Sequence, residues 1–367
     1  MASGDDTAAI RERVDATIQP VIAAHDIPGL VTALTIDGRV FFFSYGVTAK
    51  NGSDPVDQNT LFEIGSISKT FTATLAAYAA VTGKLSFDDH PGAHVPELRG
   101  SPIDNVTLLH LGTYTAGGLP LQFPAEVSDR KQMIGYFQQW QPESAPGEQR
   151  RYSNPSIGLL GHITALALES DFSDAMETRL LPALGLKHTY LRVPESLMAR
   201  YAWGCTAASP RVRVTPGLFD AEAYGLKSTA ADMIRFVQLN IDATGLEKAW
   251  QRAIEQTHMG FFQAGEMVQG LGWEQYPHPN SLEQLLAGNS RTLIMEANPV
   301  KPSPAIAGPA LFNKTGSTNG FGAYVVFIPE MRTGLVILAN KNFPIPARVK
   351  AAHEILESVR KIRSQAP

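Results

Sequence analysis

What most limits the fold of this 367-residue chain is the placement of its strand-like segments, which lie near both ends and are missing from the middle. Residues 30–36 and 39–47 read as two strands joined by an Asp37-Gly38 hairpin turn. Strand patterns return at 260–264, 271–276, 311–314, 320–328 and 334–339. The stretch from about 66 to 186 reads almost wholly as helix and loop, with helices over 106–111, 129–140, 156–169 and 173–181, the last stopped by Pro182. Residues 7–24 form an amphipathic helix that Pro20 should kink or break. A terminal helix over 348–363 carries Val349, Ala352, Leu356 and Val359 on one stripe, with Ile355 and Ile362 beside them. Strands from both ends therefore pair in one antiparallel sheet covered by the first and last helices. The expected organisation is a discontinuous mixed domain, 1–65 and 190–367, with a helical domain, 66–189, inserted in it as one compact unit. The cleft between them is the expected site.

Composition narrows the function. Net charge is −4, and no run of like charges exceeds a few residues, which argues against nucleic acid or an anionic membrane surface as partner. Cys205 is the only cysteine, so neither an intrachain disulfide nor a thiolate metal cluster can form. No stretch approaches 18 apolar residues, so no membrane span is expected. The start, Met1-Ala2-Ser3-Gly4-Asp5-Asp6, lacks the basic and apolar regions of a signal peptide, and Met1-Ala2-Ser3 fits the replacement of a removed leader. His90 and His94 have Pro91-Gly92 between them and cannot share a helix face, and no His-Glu-x-x-His occurs. Residues 190–228 form a long irregular segment, which points to a functional loop, and helices follow over 229–241 and 246–257.

Ser66-Ile67-Ser68-Lys69 stands where Leu61-Phe62-Glu63-Ile64-Gly65 hands over to a helix free of Gly and Pro until Gly83. With Ser66 as the first helical residue, Ser66 and Lys69 share one face, one turn apart. A serine hydroxyl needs a base to become a nucleophile, and a lysine at this spacing reaches it. The unpaired N–H groups of the helix start favour an alkoxide or oxyanion. Three other segments complement this one. Tyr152-Ser153-Asn154 sits at a loop-to-helix junction and by itself also fits a buried aromatic before a helix cap. As a general base, Tyr152 would have to ionise near neutrality, which costs roughly 4 kcal/mol from its ordinary pKa of about 10. A cation about 4 Å away supplies up to about 4 kcal/mol at an effective dielectric of about 20, so two flanking lysines suffice. Lys314-Thr315-Gly316-Ser317 ends a strand and by itself also fits a polar hairpin turn; as part of a site, Gly316 admits a ligand backbone and the Ser317 N–H can join that of Ser66 as an oxyanion donor. Asn340-Lys341-Asn342 leaves the last strand with amide donors for a carboxylate.

In this order the set resembles the class C serine β-lactamases, of cephalosporinase type, over nearly the whole chain. Gly112 to Gln122 looks like that family's glutamine-bearing loop, and Ala221-Glu222-Ala223-Tyr224-Gly225 like the end of its Ω loop. Tyr-Ser-Asn in place of Ser-Asp-Asn separates it from class A. The resemblance implies the α+β, penicillin-binding-protein-like fold and a hydrolase acting on cyclic amides. It implies Ser66 as nucleophile, Lys69 as its aid, Tyr152 as base and proton shuttle, and Lys314 as modulator of the tyrosine. Thr315, Gly316, Ser317 and Asn342 would contact the substrate and its carboxylate, and Gln122, Asn154 and Tyr224 its acylamide side chain. The base of each step stays open among Lys69, Tyr152 and the substrate amine. The resemblance implies no metal or cofactor, a small-molecule β-lactam as partner, a monomer and a periplasmic location. Ile345, Asn313, Phe343 and Cys205 depart from residues common in that family and bear on carboxylate binding and substrate profile. The competing readings are a DD-peptidase or penicillin-binding protein, an esterase of this fold, and a β-lactam sensor that is acylated without turnover.

Overall fold

The computed structural model describes residues 4–303 and 308–365, so the Met1-Ala2-Ser3 start lies outside the described residues. Among the described residues nine strands make the main sheet: β1 (Gly29–Ile36), β2 (Arg39–Gly46), β3 (Phe262–Ala264), β4 (Met267–Gln269), β5 (Glu274–Pro277), β6 (Lys301–Pro302), β7 (Ala310–Ser317), β8 (Gly322–Ile328) and β9 (Thr333–Ala339). Their spatial order is β6-β3-β4-β5-β7-β8-β9-β1-β2, and every pairing is antiparallel. β1, from the start of the chain, pairs along its length with β9, from the end, in the register Leu30↔Ala339 to Ile36↔Thr333. The expected closure of the sheet by both ends is therefore present.

The principal helices are α1 (Gly4–His25), α2 (Ser68–Val81), α3 (Leu108–Gly112), α4 (Arg130–Gln139), α5 (Asn154–Ala167), α6 (Ala230–Ile241), α7 (Lys248–Thr257) and α8 (Ile345–Gln365). β1 is buried along its whole length because helices cover both faces. On one face Ile10, Val14 and Ile18 of α1 and Val349, Ala352, Ile355 and Val359 of α8 pack on Leu30, Leu34, Leu335 and Ile337. The opposite face, through Val31, Ala33, Val325 and Val336, joins a core that continues into α2, α5, α6 and α7. α2 lies at the centre of that core, with Phe71 stacked on Phe236 at 4.1 Å and Tyr78 on Trp250 at 3.8 Å.

Several boundaries differ from expectation. α1 runs unbroken through Pro20, since burial of its apolar stripe outweighs the roughly 3 kcal/mol that an internal proline costs. The helix expected to stop at Pro182 continues to Ala183, because a wide π-type turn at Met176–Leu180 absorbs the missing N–H. Segment 190–228 holds short turns at Glu195–Arg200 and Asp220–Ala223, and Lys227–Ser228 pairs with Phe62–Glu63. β4 and the helices Leu282–Gly288 and Arg291–Met295 escaped the sequence reading because they are short and partly polar; a Ser281–Gln284 capping box opens the first helix. β7 extends to Ser317, so the Lys-Thr-Gly segment lies within the strand.

Candidate active site

Ser66 does not open α2. It sits in a single 3-10 turn, Gly65–Ile67, and the α-helix begins at Ser68. The turn follows from Gly65, whose φ of +52° is readily open to glycine. No side chain caps α2, which leaves the Ser66 hydroxyl free for another partner. Two glycines bring β7 against this turn. A Cβ on Gly65 would lie 2.4 Å from the Ser317 backbone nitrogen, and one on Gly316 would lie 1.9 Å from the Ile64 carbonyl oxygen. β5 pairs with β7 only from Ala310 to Asn313, so from Lys314 to Ser317 the edge away from β8 has no strand beside it among the described residues. A ligand backbone can lie along that edge.

Lys69 is fully buried, and its Nζ donates to Ser66 Oγ at 2.9 Å and to the Ala223 carbonyl at 2.8 Å. Burial pulls its pKa down to about 8, opposed by Tyr152 and assisted by Lys314. Tyr152 is buried beside both lysines: Lys69 Nζ lies 5.0 Å and Lys314 Nζ 4.9 Å from its ring centre. Its hydroxyl has no settled hydrogen-bond partner. Burial alone would raise the phenol, but the charges of Lys314 and Lys69 and the nearby Ser66 hydroxyl outweigh it, and Tyr152 falls below the usual tyrosine value. Lys314 moves the other way: burial disfavours its charge, and Glu274 and Tyr152 more than restore it.

The remaining expected residues are placed less uniformly. Asn154, the first residue of α5, is buried with its Oδ1 unpaired, and its N–H donates to the Leu121 carbonyl at 3.0 Å. Gln122 is exposed on the loop next to it. Tyr224 is half-buried at the end of the Asp220–Ala223 turn, directly after the carbonyl that holds Lys69. Thr315 is buried, Ser317 half-buried, and Asn342 exposed with its Oδ1 accepting from Arg348 at 2.7 Å. Among the described residues no group of three or more His, Cys, Asp or Glu side chains could hold a metal ion.

The sequence profile of the family described as Beta-lactamase matches residues 14–360. The chain belongs to the beta-lactamase family. A beta-lactamase of Pseudomonas fluorescens is 51% identical over 353 residues, covering 95% of this chain and 99% of its own length. The crystal structure of a beta-lactamase/D-alanine carboxypeptidase from Pseudomonas syringae superposes with a TM-score of 0.93 at 46% identity, covering 95% of this chain and 99% of that one. A class C beta-lactamase solved with cefoxitin gives 0.92 at 45% identity, with 96% and 99% covered. This beta-lactamase is thus similar throughout its length to class C members and shares their fold.

The structure adds residues around Ser66 and Tyr152 that sequence reading missed. Glu274 on β5 accepts from Lys314 at 3.2 Å and lies 3.5 Å from Arg150, all three buried. Arg150 is further held by Gln269 at 2.7 Å and the Leu293 carbonyl at 2.7 Å, and its Cζ lies 5.6 Å from the Tyr152 ring centre. Tyr114, at φ +62°, packs its ring 4.9 Å from that of Tyr152. Arg348 on α8 is fully buried; its guanidinium donates to the Gly316 carbonyl at 2.7 Å, Ser317 Oγ at 3.0 Å, Asn342 Oδ1 and the Phe343 carbonyl. With those acceptor atoms occupied, the Ser317 O–H and the Asn342 amide hydrogens are left to face a ligand. Glu63, just before the Ser66 turn, accepts from Tyr201 at 2.5 Å and the Val214 N–H at 2.7 Å, which ties the long loop to the site. Ile345 opens α8 half-buried, Asn313 is buried with both polar side-chain atoms unpaired, Phe343 lies under the Arg348 guanidinium, and the Cys205 N–H donates to the Asn340 carbonyl.

Proposed function

We propose that this beta-lactamase opens the amide of cephalosporins and penicillins through an acyl-enzyme on Ser66, and so confers resistance to them. The observation that carries the reading is the Lys69–Ser66 hydrogen bond beside a tyrosine flanked by two buried lysines. Ser66 Oγ attacks the lactam carbonyl carbon while its proton passes to Lys69 or to the Tyr152 phenolate. The oxyanion forms against the N–H groups of Ser66 and Ser317. The C–N bond then breaks, and the ring nitrogen takes a proton from Tyr152. Water, deprotonated by the same phenolate, attacks the ester carbon, and Ser66 leaves with its proton restored. Lys314, Thr315, Ser317 and Asn342 bind the ligand carboxylate, with Gly316 leaving room along the strand, and Gln122, Asn154 and Tyr224 hold the acylamide side chain. The cleft lies between a helical domain, 66–189, and a mixed domain made of 1–65 and 190–367. The chain acts as a monomer in the periplasm, without metal or cofactor.

The test is ring opening of a chromogenic cephalosporin in large molar excess. Sustained turnover that Ser66→Ala abolishes is the expected result. A burst equal to the enzyme concentration followed by a stall would replace this reading with a penicillin-binding protein or a sensor. Hydrolysis of a short-chain p-nitrophenyl ester alone would leave an esterase. The D-alanine carboxypeptidase named with the Pseudomonas syringae structure makes a peptide ending in D-Ala-D-Ala the second substrate to try.

A further inference from the structure

Away from Ser66, an open surface depression of about 490 Å³ lies between α4, α5 and segment 216–222, with Arg130, Met133, His162, Phe219 and Glu222 in its wall. That volume is within the range of about 300–1,000 Å³ typical of small-molecule sites. Glu222 is 7% exposed, and its carboxyl has no partner other than its own backbone N–H. It is pressed onto α5, where a Cβ on Gly161 would lie 2.7 Å from Glu222 Cγ. His162, the next residue on α5, has a buried Nε2 with no partner. Burial keeps this imidazole neutral at pH 7, so with the proton on Nδ1 its Nε2 is an acceptor. Phe219 supplies an aromatic wall, 6.0 Å from the His162 ring, and holds a φ of +60° to do so. The charges around Glu222 are Asp220 and Asp171, both of which oppose its ionisation, and Arg130 at the rim, which is paired with Glu97 at 3.0 Å.

A buried carboxyl bonded only to its own N–H and a buried, unpaired imidazole nitrogen, set beside an aromatic wall, leave acceptor capacity for a ligand that donates. We propose that this cavity binds the primary ammonium group of a small aromatic amine, with Glu222 and His162 Nε2 as its acceptors. The site does not share side chains with the Ser66 constellation, but it shares backbone with it. The Glu222 carbonyl accepts from Thr72 Oγ1 at 2.6 Å and the Ala223 carbonyl from Lys69 Nζ at 2.8 Å, so an occupant that moves 222–223 also moves the partner of Lys69. This second part rests on the reading of Ser66 and Lys69 given above. Binding is coupled to a proton: the neutral Glu222 carboxyl, which burial pushes up to about 8, gives its proton to the buffer as the ammonium arrives.

The experiment is calorimetric titration of the whole chain with benzylammonium chloride at pH 7, in two buffers of different ionisation enthalpy. The expected result is one saturable site that releases about 0.9 proton per amine, with the release fading above about pH 9. Glu222→Gln should weaken binding at least tenfold and abolish the proton release, His162→Phe should weaken it, benzyl alcohol should bind far more weakly, and Ser66→Ala should bind as the parent does. Absence of saturable heat, binding unchanged in Glu222→Gln, or binding lost in Ser66→Ala would each overturn the proposal. Thermal unfolding of each variant shows that it is folded. A saturating amine should also change kcat for the chromogenic cephalosporin without competing with it. A chain without β-lactam turnover would overturn the functional reading while the calorimetry still judged the cavity.

Discussion

Replacing Glu274 with Gln removes the carboxylate that Lys314 and Arg150 share. The two cations lie 3.2 Å and 3.5 Å from the same oxygen, and all three side chains are buried. At an effective dielectric of about 20, each attraction at these distances is about 5 kcal/mol. The cost of burying the cations remains once their partner is gone, so the net destabilisation is about 3–5 kcal/mol. Unfolding entropy for a chain of this length is about 0.8 kcal/mol/K, so the melting temperature falls by about 4–6 °C. The more telling consequence is protonic. Glu274 raises both Lys314 and Tyr152, so both fall in the variant. The phenolate then forms at lower pH, and the acid limb of kcat/KM moves down. Lys314 gives up its proton earlier, and the alkaline limb moves down as well. The assay is kcat/KM for a chromogenic cephalosporin across pH 4–10, with calorimetry on the same samples; the limbs belong to the coupled group as a whole. A folded variant whose alkaline limb stays in place or rises would refute the electrostatic account of Lys314.

The other predictions concern residues around the site. Arg348→Met should raise KM for carboxylate-bearing cephalosporins at least tenfold with a smaller change in kcat, since it frees Ser317 Oγ and Asn342 Oδ1 from the guanidinium; a change in kcat alone would contradict this. Glu63→Gln should cost about 1.5–3 kcal/mol through its weakened bonds to Tyr201 and Val214, and hydrogen exchange should quicken in 201–214; unchanged protection there would count against the tether. Glu222→Gln should stabilise the fold increasingly as pH rises. The folded carboxyl titrates near 8 and the unfolded one near 4.5, so between these values the native state binds more protons and stability falls with pH. The variant lacks that loss, which amounts to roughly 4 kcal/mol by pH 8, and melting curves at pH 5 and pH 8 that differ equally from the parent would exclude it.

Sequence revealed the parts of the site that depend on local spacing. Ser66 and Lys69 meet because three residues make one helical turn, and the 3-10 geometry at Ser66 changes that contact little. Glu274 was invisible because its role depends on strand register: it pairs across from Asn313, which sets it beside Lys314, and nothing within β5 singles it out. Arg348 stood at the start of the helix expected over 348–363 and was given no role. The helix begins earlier, at Ile345, and its first turn crosses the sheet at Gly322, where a Cβ would lie 2.7 Å from the guanidinium. That glycine, read together with the arginine, was the available signal.

These hidden residues change how the visible ones work. Lys69, Lys314, Arg150 and Arg348 are all buried, and Glu274 is the carboxylate that pairs with two of them. A site built this way carries uncompensated positive charge that water cannot screen. The excess lowers the proton affinity of Tyr152 against its burial, through Lys314 and Lys69, whereas Lys69 itself is lowered first by burial and then by Lys314. It also makes the pocket favourable to an anion. The same imbalance that makes phenolate formation affordable to Tyr152 therefore selects a substrate that brings its own carboxylate. Once that carboxylate binds it offsets part of the charge, so Tyr152 holds its proton more tightly with substrate in place than without it. The acid limb of kcat should accordingly lie at higher pH than that of kcat/KM, and a limb at lower pH would mean that the cations do not act on ligand and tyrosine together.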